Sequence, residues 1–171
     1  MTEGSANPLD AGGLLQALTR NGVDFVLIGG LAGMLHGSAY PTFDLDIVYA
    51  RDRQNISRMT AALREVDVKL RGAPADLPFV LDERTIENGS NFTFETRFGS
   101  FDILGHADGM PSYDELRSNS KLGKIDGIEV RVASIENLIS MKRAANRTKD
   151  KLMVAEYLAI AEEQRAAAER G

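Results

Sequence analysis

Asp44 and Asp46 stand one residue apart in the apolar segment FDLDIV, and this pair is the strongest candidate for chemistry in the chain. In a β-strand, residues i and i+2 face the same side, so both carboxylates project together from α-carbons roughly 6.5 to 7 Å apart. Carboxylates this close repel each other, and a divalent cation relieves the repulsion. Their hard oxygens fit Mg²⁺, which also takes phosphate oxygens from a substrate. The alternative interpretation is a half-exposed strand whose polar residues face solvent.

Two glycines, Gly29 and Gly30, end the apolar run FVLI that precedes the aspartates. Where a strand gives way to a helix, glycine lets the backbone approach a phosphate, and the helix N–H groups can hold it. A simple tight turn would use the same two residues. Thr42 lies just before the aspartates, where its hydroxyl can contact phosphate or orient the strand. The glycines therefore add a candidate phosphate site to the candidate metal site.

The order of these features is the first sign of a family. An apolar strand, Gly29-Gly30, a short helix and then Thr42-x-Asp44-x-Asp46 on the next strand resemble the DNA polymerase β-like nucleotidyltransferase superfamily. The resemblance covers about residues 12 to 160. It implies an α+β nucleotidyltransferase fold, in which a small mixed β-sheet is flanked by helices and followed by a C-terminal helical portion.

The superfamily has a third carboxylate on a later strand, and Asp102 in SFDILG matches it. An aspartate between apolar neighbours is costly to bury unpaired, although hydrogen bonds to backbone could give it a structural role. The resemblance implies that Asp44, Asp46 and Asp102 are the catalytic residues and bind Mg²⁺ or Mn²⁺. It further implies two metal ions about 3.5–4 Å apart, with Asp102 as the base or as a ligand that orients it.

The segment NLISMKRAANRTKDKLMVAEYL resembles the K-x6-K-D segment of the AbiEii-like toxin branch and its uncharacterised bacterial relatives. In that branch a lysine on the penultimate helix contacts the triphosphate, and a Lys-Asp pair opens the last helix. A lysine offers the triphosphate one positive charge and three donors. A solvated helix face, with Asp150 favoured by the helix dipole, is the alternative. The residues predicted to bind nucleotide are Gly29, Gly30, Thr42, Lys142, Lys149 and Asp150.

Hydrophobic periodicity and turn signals place these residues in one domain. Residues 1–8 are predicted to be a disordered lead-in. Residues 9–165 form the domain, with a catalytic core over about 9–132 and C-terminal helices over about 134–165. Residues 70–90 show no clear period and are predicted to be an irregular loop. Helices are predicted over residues 9–20, 31–36, 52–65 and 112–118, after Ser134 and from 149 onward. Strands are predicted over 24–28, 45–49, 92–96, 101–104, 121–125 and 128–132.

Composition narrows the class of protein. The chain has 171 residues, of which 43% are hydrophobic and 26% charged, as in an ordinary globular domain. It has no cysteine, which excludes disulfides and thiolate zinc sites. The net charge of −5 argues against general coating of nucleic acid but leaves room for a local basic groove. With no secretory signal and no long apolar stretch, we expect a cytoplasmic protein that does not engage a membrane.

The resemblance implies an enzyme that transfers a nucleoside monophosphate from an NTP to an acceptor hydroxyl and releases pyrophosphate. The acceptor is tRNA, a protein hydroxyl or a small molecule such as an antibiotic, and a toxin role would add an antitoxin protein as partner. One alternative is a catalytically silent domain of the same fold that binds a nucleotide or a partner. Another is a small-molecule-binding or structural α/β domain with its aspartates on the surface. The presence of all three carboxylates favours catalysis.

Overall fold

A computed structural model describes residues 7–171, which form seven helices and seven strands. The helices are α1 (Ala11–Arg20), α2 (Gly29–Leu35), α3 (Arg53–Glu65), α4 (Glu83–Asn88), α5 (Tyr113–Asn119), α6 (Ile135–Ala145) and α7 (Thr148–Arg170). The strands are β1 (Phe25–Ile28), β2 (Asp44–Tyr49), β3 (Lys69–Leu70), β4 (Asn91–Thr96), β5 (Gly99–Leu104), β6 (Lys121–Ile125) and β7 (Ile128–Val132). Within residues 7–171, no helix is both long and apolar enough to cross a membrane.

All seven strands belong to one mixed sheet with the order β3-β4-β5-β2-β1-β7-β6. The pairs β2–β5 and β1–β7 are parallel, and the remaining neighbours are antiparallel. This sheet, its flanking helices and the C-terminal pair α6 and α7 confirm the α+β architecture expected from the sequence. The parallel pairing of β2 with β5 sets Asp46 opposite Asp102, so it positions the candidate site.

The core lies around the interior strand β1, whose four residues are all buried. Neighbouring residues of a strand point to opposite faces, so burial of both Val26 and Leu27 means that both faces of the sheet are covered here. Helix α3 contributes its apolar stripe, with Ile56 and Met59 buried. Its N-cap is Asp52, as predicted, whose carboxylate accepts a hydrogen bond from the Asn55 amide at 3.0 Å.

The predicted loop over residues 70–90 is partly wrong, because the segment contains the end of β3 and all of α4. Helix α4 has only six residues and depends on its surroundings. Asp82 caps its start by accepting from the Thr85 amide at 2.8 Å. At its C-terminal end, the Arg51 guanidinium donates to the carbonyls of Ile86 and Gly89 at 3.1 and 2.9 Å. Such non-local support leaves no periodic pattern in the sequence.

At both ends, described residues with defined contacts or secondary structure lie outside the predicted bounds of 9 and 165. Residues 1–6 of the predicted disordered lead-in lie outside the described residues. Asn7, also in that lead-in, donates a hydrogen bond from Nδ2 to the Thr96 carbonyl at 3.2 Å. At the other end, α7 continues to Arg170, past the boundary placed at residue 165.

The junction of α6 and α7 is built around a buried carboxylate. Asn146 ends α6 in the left-handed conformation, with φ of 52°. The Asp150 side chain is 1% exposed and lies 3.4 Å from Lys142 Nζ and 2.7 Å from Arg147 Nε. Although burial acts in the opposite direction, the hydrogen bonds from Arg147 and the charge of Lys142 hold the pKa of Asp150 below its usual value. Asp150 therefore fixes the angle between the two C-terminal helices and holds Lys142.

Replacing Asp150 by Asn should lower the free energy of unfolding by about 2–4 kcal/mol at pH 7, because two cations lose a buried partner. The measurement is urea denaturation of the wild-type and D150N proteins. Glu163 is an exposed acid on the same helix, so E163Q is the matched control and should change stability by less than about 0.5 kcal/mol.

The difference between wild type and D150N should depend on pH in a defined direction. Because folding lowers the pKa of Asp150, its stabilisation is complete above the unfolded value of about 3.9 and is lost as pH falls through the folded value. The urea midpoints should therefore be furthest apart near pH 7 and converge below about pH 4. A gap that stays constant or widens towards low pH would contradict this assignment.

Candidate active site

A cleft of about 670 Å³ gathers eight of the nine residues that the sequence predicted for the site. It lies between the adjoining strands β2 and β5 and the helices α6 and α7. The eight residues that line it are Gly29, Gly30, Thr42, Asp44, Asp46, Asp102, Lys142 and Lys149. The ninth, Asp150, is buried beneath Lys142 and does not line the cleft, so any effect on a bound nucleotide passes through that lysine.

Three carboxylates form the floor of the cleft. Asp44 and Asp46 lie on one face of β2, and Asp102 is the β5 residue opposite Asp46. Burial, followed by the nearby charges of Asp102 and Asp44, raises the pKa of Asp46 to about 7, although Lys142 opposes the shift. The Asp46 and Asp102 carboxyl groups lie close enough for each to act on the pKa of the other. The floor of the cleft therefore concentrates three carboxyl groups in a partly buried position.

An arginine that the sequence analysis did not identify contacts this floor. Arg71 Nη2 donates to Asp102 Oδ1 at 2.6 Å and to the Phe94 carbonyl at 3.0 Å, while its Nε donates to Glu95 Oε1 at 2.9 Å. Glu95 also accepts from Ser100 Oγ at 2.8 Å. Arg71 follows β3 in the segment predicted to be a loop, and no motif marks it. Only the strand pairing brings it to the carboxylates.

The carboxylates of the floor are the donors available to a divalent metal in this cleft. Among residues 7–171, no three acidic or histidine side chains are grouped closely enough to hold a metal ion by themselves. Mg²⁺ does not require such a cage, because it takes one or two carboxylates and completes its shell with water and substrate phosphate. Asp44 and Asp46 offer that donor set on the floor of the cleft. The residues present therefore fit Mg²⁺ bound together with a phosphate-bearing substrate.

The two glycines provide the space that the site needs. Gly29 has a φ of +72°, and a Cβ built there would overlap Asp46 Oδ2. A Cβ on Gly30 would lie 2.9 Å from both Cβ and Oγ1 of Thr42. Thr42 Oγ1 in turn donates to the Asp44 carbonyl at 3.2 Å, which fixes the start of β2. Gly29 thus makes room for the Asp46 carboxylate, and no side chain of the described residues caps α2 at this point.

Basic residues from the C-terminal helices form the opposite wall of the cleft. Lys142, Arg147 and Lys149 all line it. The Lys142 side chain is only 16% exposed, because its ammonium pairs with Asp150. This pairing fixes one positive charge near Asp46, where it acts against the raised pKa of that carboxyl. The cleft therefore has an acidic floor and a basic wall.

Other residues around the cleft hold its loops in place. Asn91 Oδ1 accepts from the Gly105 amide at 3.0 Å, and its Nδ2 donates to the His106 carbonyl at 3.0 Å, so Asn91 orders the loop after β5. On the other side, Glu156 of α7 accepts hydrogen bonds from Ser38 Oγ and from the Ala39 amide. Sequence reasoning missed Asn91 and Glu156, since each acts through a loop distant in the chain.

Comparison with known proteins identifies the fold. No protein-family model and no curated protein sequence matches the chain. Solved structures match it over nearly their whole length. The lincosamide antibiotic adenylyltransferase LnuA, solved with lincomycin bound, has 15% sequence identity and a TM-score of 0.58, covering 90% of this chain and 99% of its own.

Two further solved structures match the chain with similar coverage. ANT(2'')-Ia in complex with adenylyl-2''-tobramycin has 16% identity and a TM-score of 0.55, covering 92% of this chain and 96% of its own. A candidate nucleotidyltransferase from Thermotoga maritima has 15% identity and a TM-score of 0.50, covering 96% of this chain and 94% of its own. Likeness at this level of identity establishes the fold. The chain therefore has the predicted nucleotidyltransferase fold, and its assignment to the AbiEii-like branch stays a prediction.

Replacing Gly29 by Ala should disrupt the candidate metal site, because the new methyl group displaces the Asp46 carboxylate. We expect Mn²⁺ affinity to fall by about tenfold or more, equivalent to about 1.4 kcal/mol. Affinity is measured by electron paramagnetic resonance (EPR) of the free ion during a Mn²⁺ titration.

Gly22 provides the matched control for backbone strain. Its φ of +69° is close to that of Gly29, but the nearest atoms to an added Cβ are 3.8 Å away, on Arg58. G22A should therefore lower stability by about 1–2 kcal/mol through the left-handed backbone alone and leave Mn²⁺ affinity unchanged. Equal Mn²⁺ affinity in G29A and wild type would show that the Gly29–Asp46 contact does not matter for the metal.

Proposed function

We propose that the protein is a Mg²⁺-dependent nucleotidyltransferase that moves a nucleoside monophosphate from an NTP to an acceptor hydroxyl. The hydroxyl oxygen attacks the α-phosphorus, the bond to the β-phosphate oxygen breaks, and pyrophosphate leaves. The observation that carries the proposal is one cleft, on a nucleotidyltransferase fold, that combines the Gly29-Gly30 turn, three carboxylates and a lysine wall.

The carboxylates have two roles in this proposal. Asp44, Asp46 and Asp102 would hold Mg²⁺ or Mn²⁺, and the ion would supply positive charge to the phosphates and lower the pKa of the attacking hydroxyl. Asp102 receives the hydroxyl proton or orients the group that does. Its neighbours limit its rotation, because one oxygen accepts from Arg71 at 2.6 Å. A carboxylate held this way meets the hydroxyl in one orientation.

The nucleotide is bound by the other predicted residues. Gly29 and Gly30 bring their backbone close to the phosphates, and Thr42 offers a hydroxyl beside them. Lys142 and Lys149 place two ammonium groups on the facing wall. Phosphoryl-type transition states gain most from charge that is already positioned, and the Asp150 ion pair provides this for Lys142.

The acceptor class is proposed from the neighbours and from the size of the cleft. LnuA is a lincosamide antibiotic adenylyltransferase, and ANT(2'')-Ia was solved with an adenylylated tobramycin. A volume of about 670 Å³ lies within the 300–1,000 Å³ typical of small-molecule sites. We therefore propose a small hydroxyl compound as the first acceptor to test. The K-x6-K-D segment supports the AbiEii-like branch instead, with tRNA or a protein hydroxyl as acceptor and an antitoxin as partner.

The test incubates the protein with each of the four α-³²P-labelled NTPs, Mg²⁺ and one acceptor pool at a time. The pools are total tRNA, a cell lysate as protein source and a panel of hydroxyl-bearing small molecules that includes lincomycin and tobramycin. We expect label to appear in one pool, to need Mg²⁺ and to be lost in D46N, which keeps the side-chain shape but removes a metal ligand.

Asp114 supplies the control, because it is an exposed aspartate in the first turn of α5, outside the cleft. The D114N variant should transfer label like wild type. Nucleotide binding without transfer to any pool would support the catalytically silent alternative, for which the Arg71–Asp102 ion pair is the favouring observation. Absence of both nucleotide and metal binding would refute both functions.

Lys142 can be tested without knowing the acceptor. Replacing it by Met should weaken binding of a non-hydrolysable NTP analogue by roughly tenfold, because a charge-assisted contact to the triphosphate is lost. Isothermal titration calorimetry measures the affinity. The label-transfer test described above indicates which of the four NTPs the analogue should resemble. Lys151 is exposed and lies outside the main cleft, so K151M is the control and should keep wild-type affinity. Equal affinities in K142M and K151M would remove Lys142 from the site.

A further inference from the structure

Arg71 reaches the catalytic floor from the edge of the sheet. It follows the edge strand β3, and its guanidinium lies beside Asp102, two strands further in. The Asp102 side chain is 18% exposed and that of Arg71 is 31% exposed, so this is a half-buried ion pair rather than a surface one. The N–O distance of 2.6 Å is short, as expected for a charge-assisted hydrogen bond.

The position of Arg71 is fixed by three hydrogen bonds besides the one to Asp102. Glu95 Oε1 accepts from Nε of Arg71 and is itself held by Ser100 Oγ. The Phe94 carbonyl accepts from Nη2, and the Arg71 amide donates to the Thr93 carbonyl at 2.9 Å. A guanidinium is planar and keeps its charge at all accessible pH values. These hydrogen bonds therefore hold a permanent positive charge in a fixed position beside Asp102.

The Arg71 guanidinium contacts Asp102, one of the three carboxylates that a second metal ion would need as ligands. Two divalent ions clamped between Asp44, Asp46 and Asp102 would bring four positive charges to three carboxylates, in addition to Arg71 and Lys142. A second ion would also compete with the guanidinium for the Asp102 oxygen that Arg71 already occupies. Like charges at that separation repel strongly where water is partly excluded. One divalent ion and Arg71 together carry three positive charges, which equals the charge of the three carboxylates, while Lys142 is paired with Asp150.

We propose that Arg71 takes the place of the second metal ion, so that the site binds a single divalent cation per chain. In this arrangement Arg71 is a positioning residue, since it orients Asp102 and supplies fixed charge without touching the reacting atoms. The nucleotide part of the inference rests on the proposed function. The number of metal ions does not, because it can be counted with and without a nucleotide.

The experiment counts bound Mn²⁺ by the EPR signal of the free ion, first without nucleotide and then with a saturating non-hydrolysable NTP analogue. Wild type should bind one Mn²⁺ per chain under both conditions. R71M frees the Asp102 oxygen and removes the fixed charge, so it should bind two. R71K keeps a cation in place and should bind one, which separates the role of the charge from a loss of packing.

Arg97 is the matched control, because it is an exposed arginine just after β4 that pairs with Asp67 outside the cleft. R97M should bind one Mn²⁺, and thermal unfolding shows whether each variant is folded. Two ions in wild type, none in wild type, or one in folded R71M would each overturn the proposal. Failure of the proposed function has a different signature, in which the analogue does not bind while R71M still holds one Mn²⁺ more than wild type.

Discussion

The parallel pairing of β2 with β5 forces Asp46 and Asp102 to face each other, and the repulsion between these half-buried carboxylates constrains the structure around them. With Asp44 two residues away, burial and charge act together, so the pKa of Asp46 rises to about 7. Contacts around the cluster reduce this repulsion or make room for it. Gly29 leaves space for the Asp46 carboxylate, and Arg71 pairs with Asp102. Like charges gathered in this way are uncommon in a part of the fold that serves stability alone, and the cluster is therefore the basis of the proposed cation site.

Two positive charges beside the carboxylate floor, those of Arg71 and Lys142, come from distant parts of the chain and are held differently. Arg71 is braced on the sheet edge by Glu95 and by backbone carbonyls. Lys142 stands on α6 and is held by Asp150, the buried first-turn residue of α7. The C-terminal helices are therefore part of the site rather than an addition to the sheet. Their junction determines where the lysine wall stands relative to the carboxylate floor, so stability of the junction and geometry of the cleft are linked.

Local signals in the sequence predicted much of this arrangement. The i, i+2 rule placed Asp44 and Asp46 on one face, and Asp126-Gly127 correctly predicted the hairpin of β6 and β7 with both strand bounds. The caps at Asp52 and Ser134 are also confirmed. Helix α4 and Arg71 could not be found in this way. Each depends on partners far along the chain, and a short helix or a single arginine carries no period. Asp150 illustrates the intermediate case, since its motif was recognised but its burial depends on how α6 and α7 meet.

The distribution of charge explains how a chain with a net charge of −5 could take the highly anionic substrate of the proposed function. Over distances longer than about 8–10 Å, salt screens the average charge, so only the local arrangement acts on a bound molecule. In the cleft that arrangement is polarised, with carboxylates on the floor and Lys142, Arg147 and Lys149 on the wall. A triphosphate in the proposed function is drawn to the wall and repelled by the floor unless a divalent ion lies between them. In the proposed function, the polarity that would exclude a nucleotide alone would therefore favour the nucleotide–metal complex.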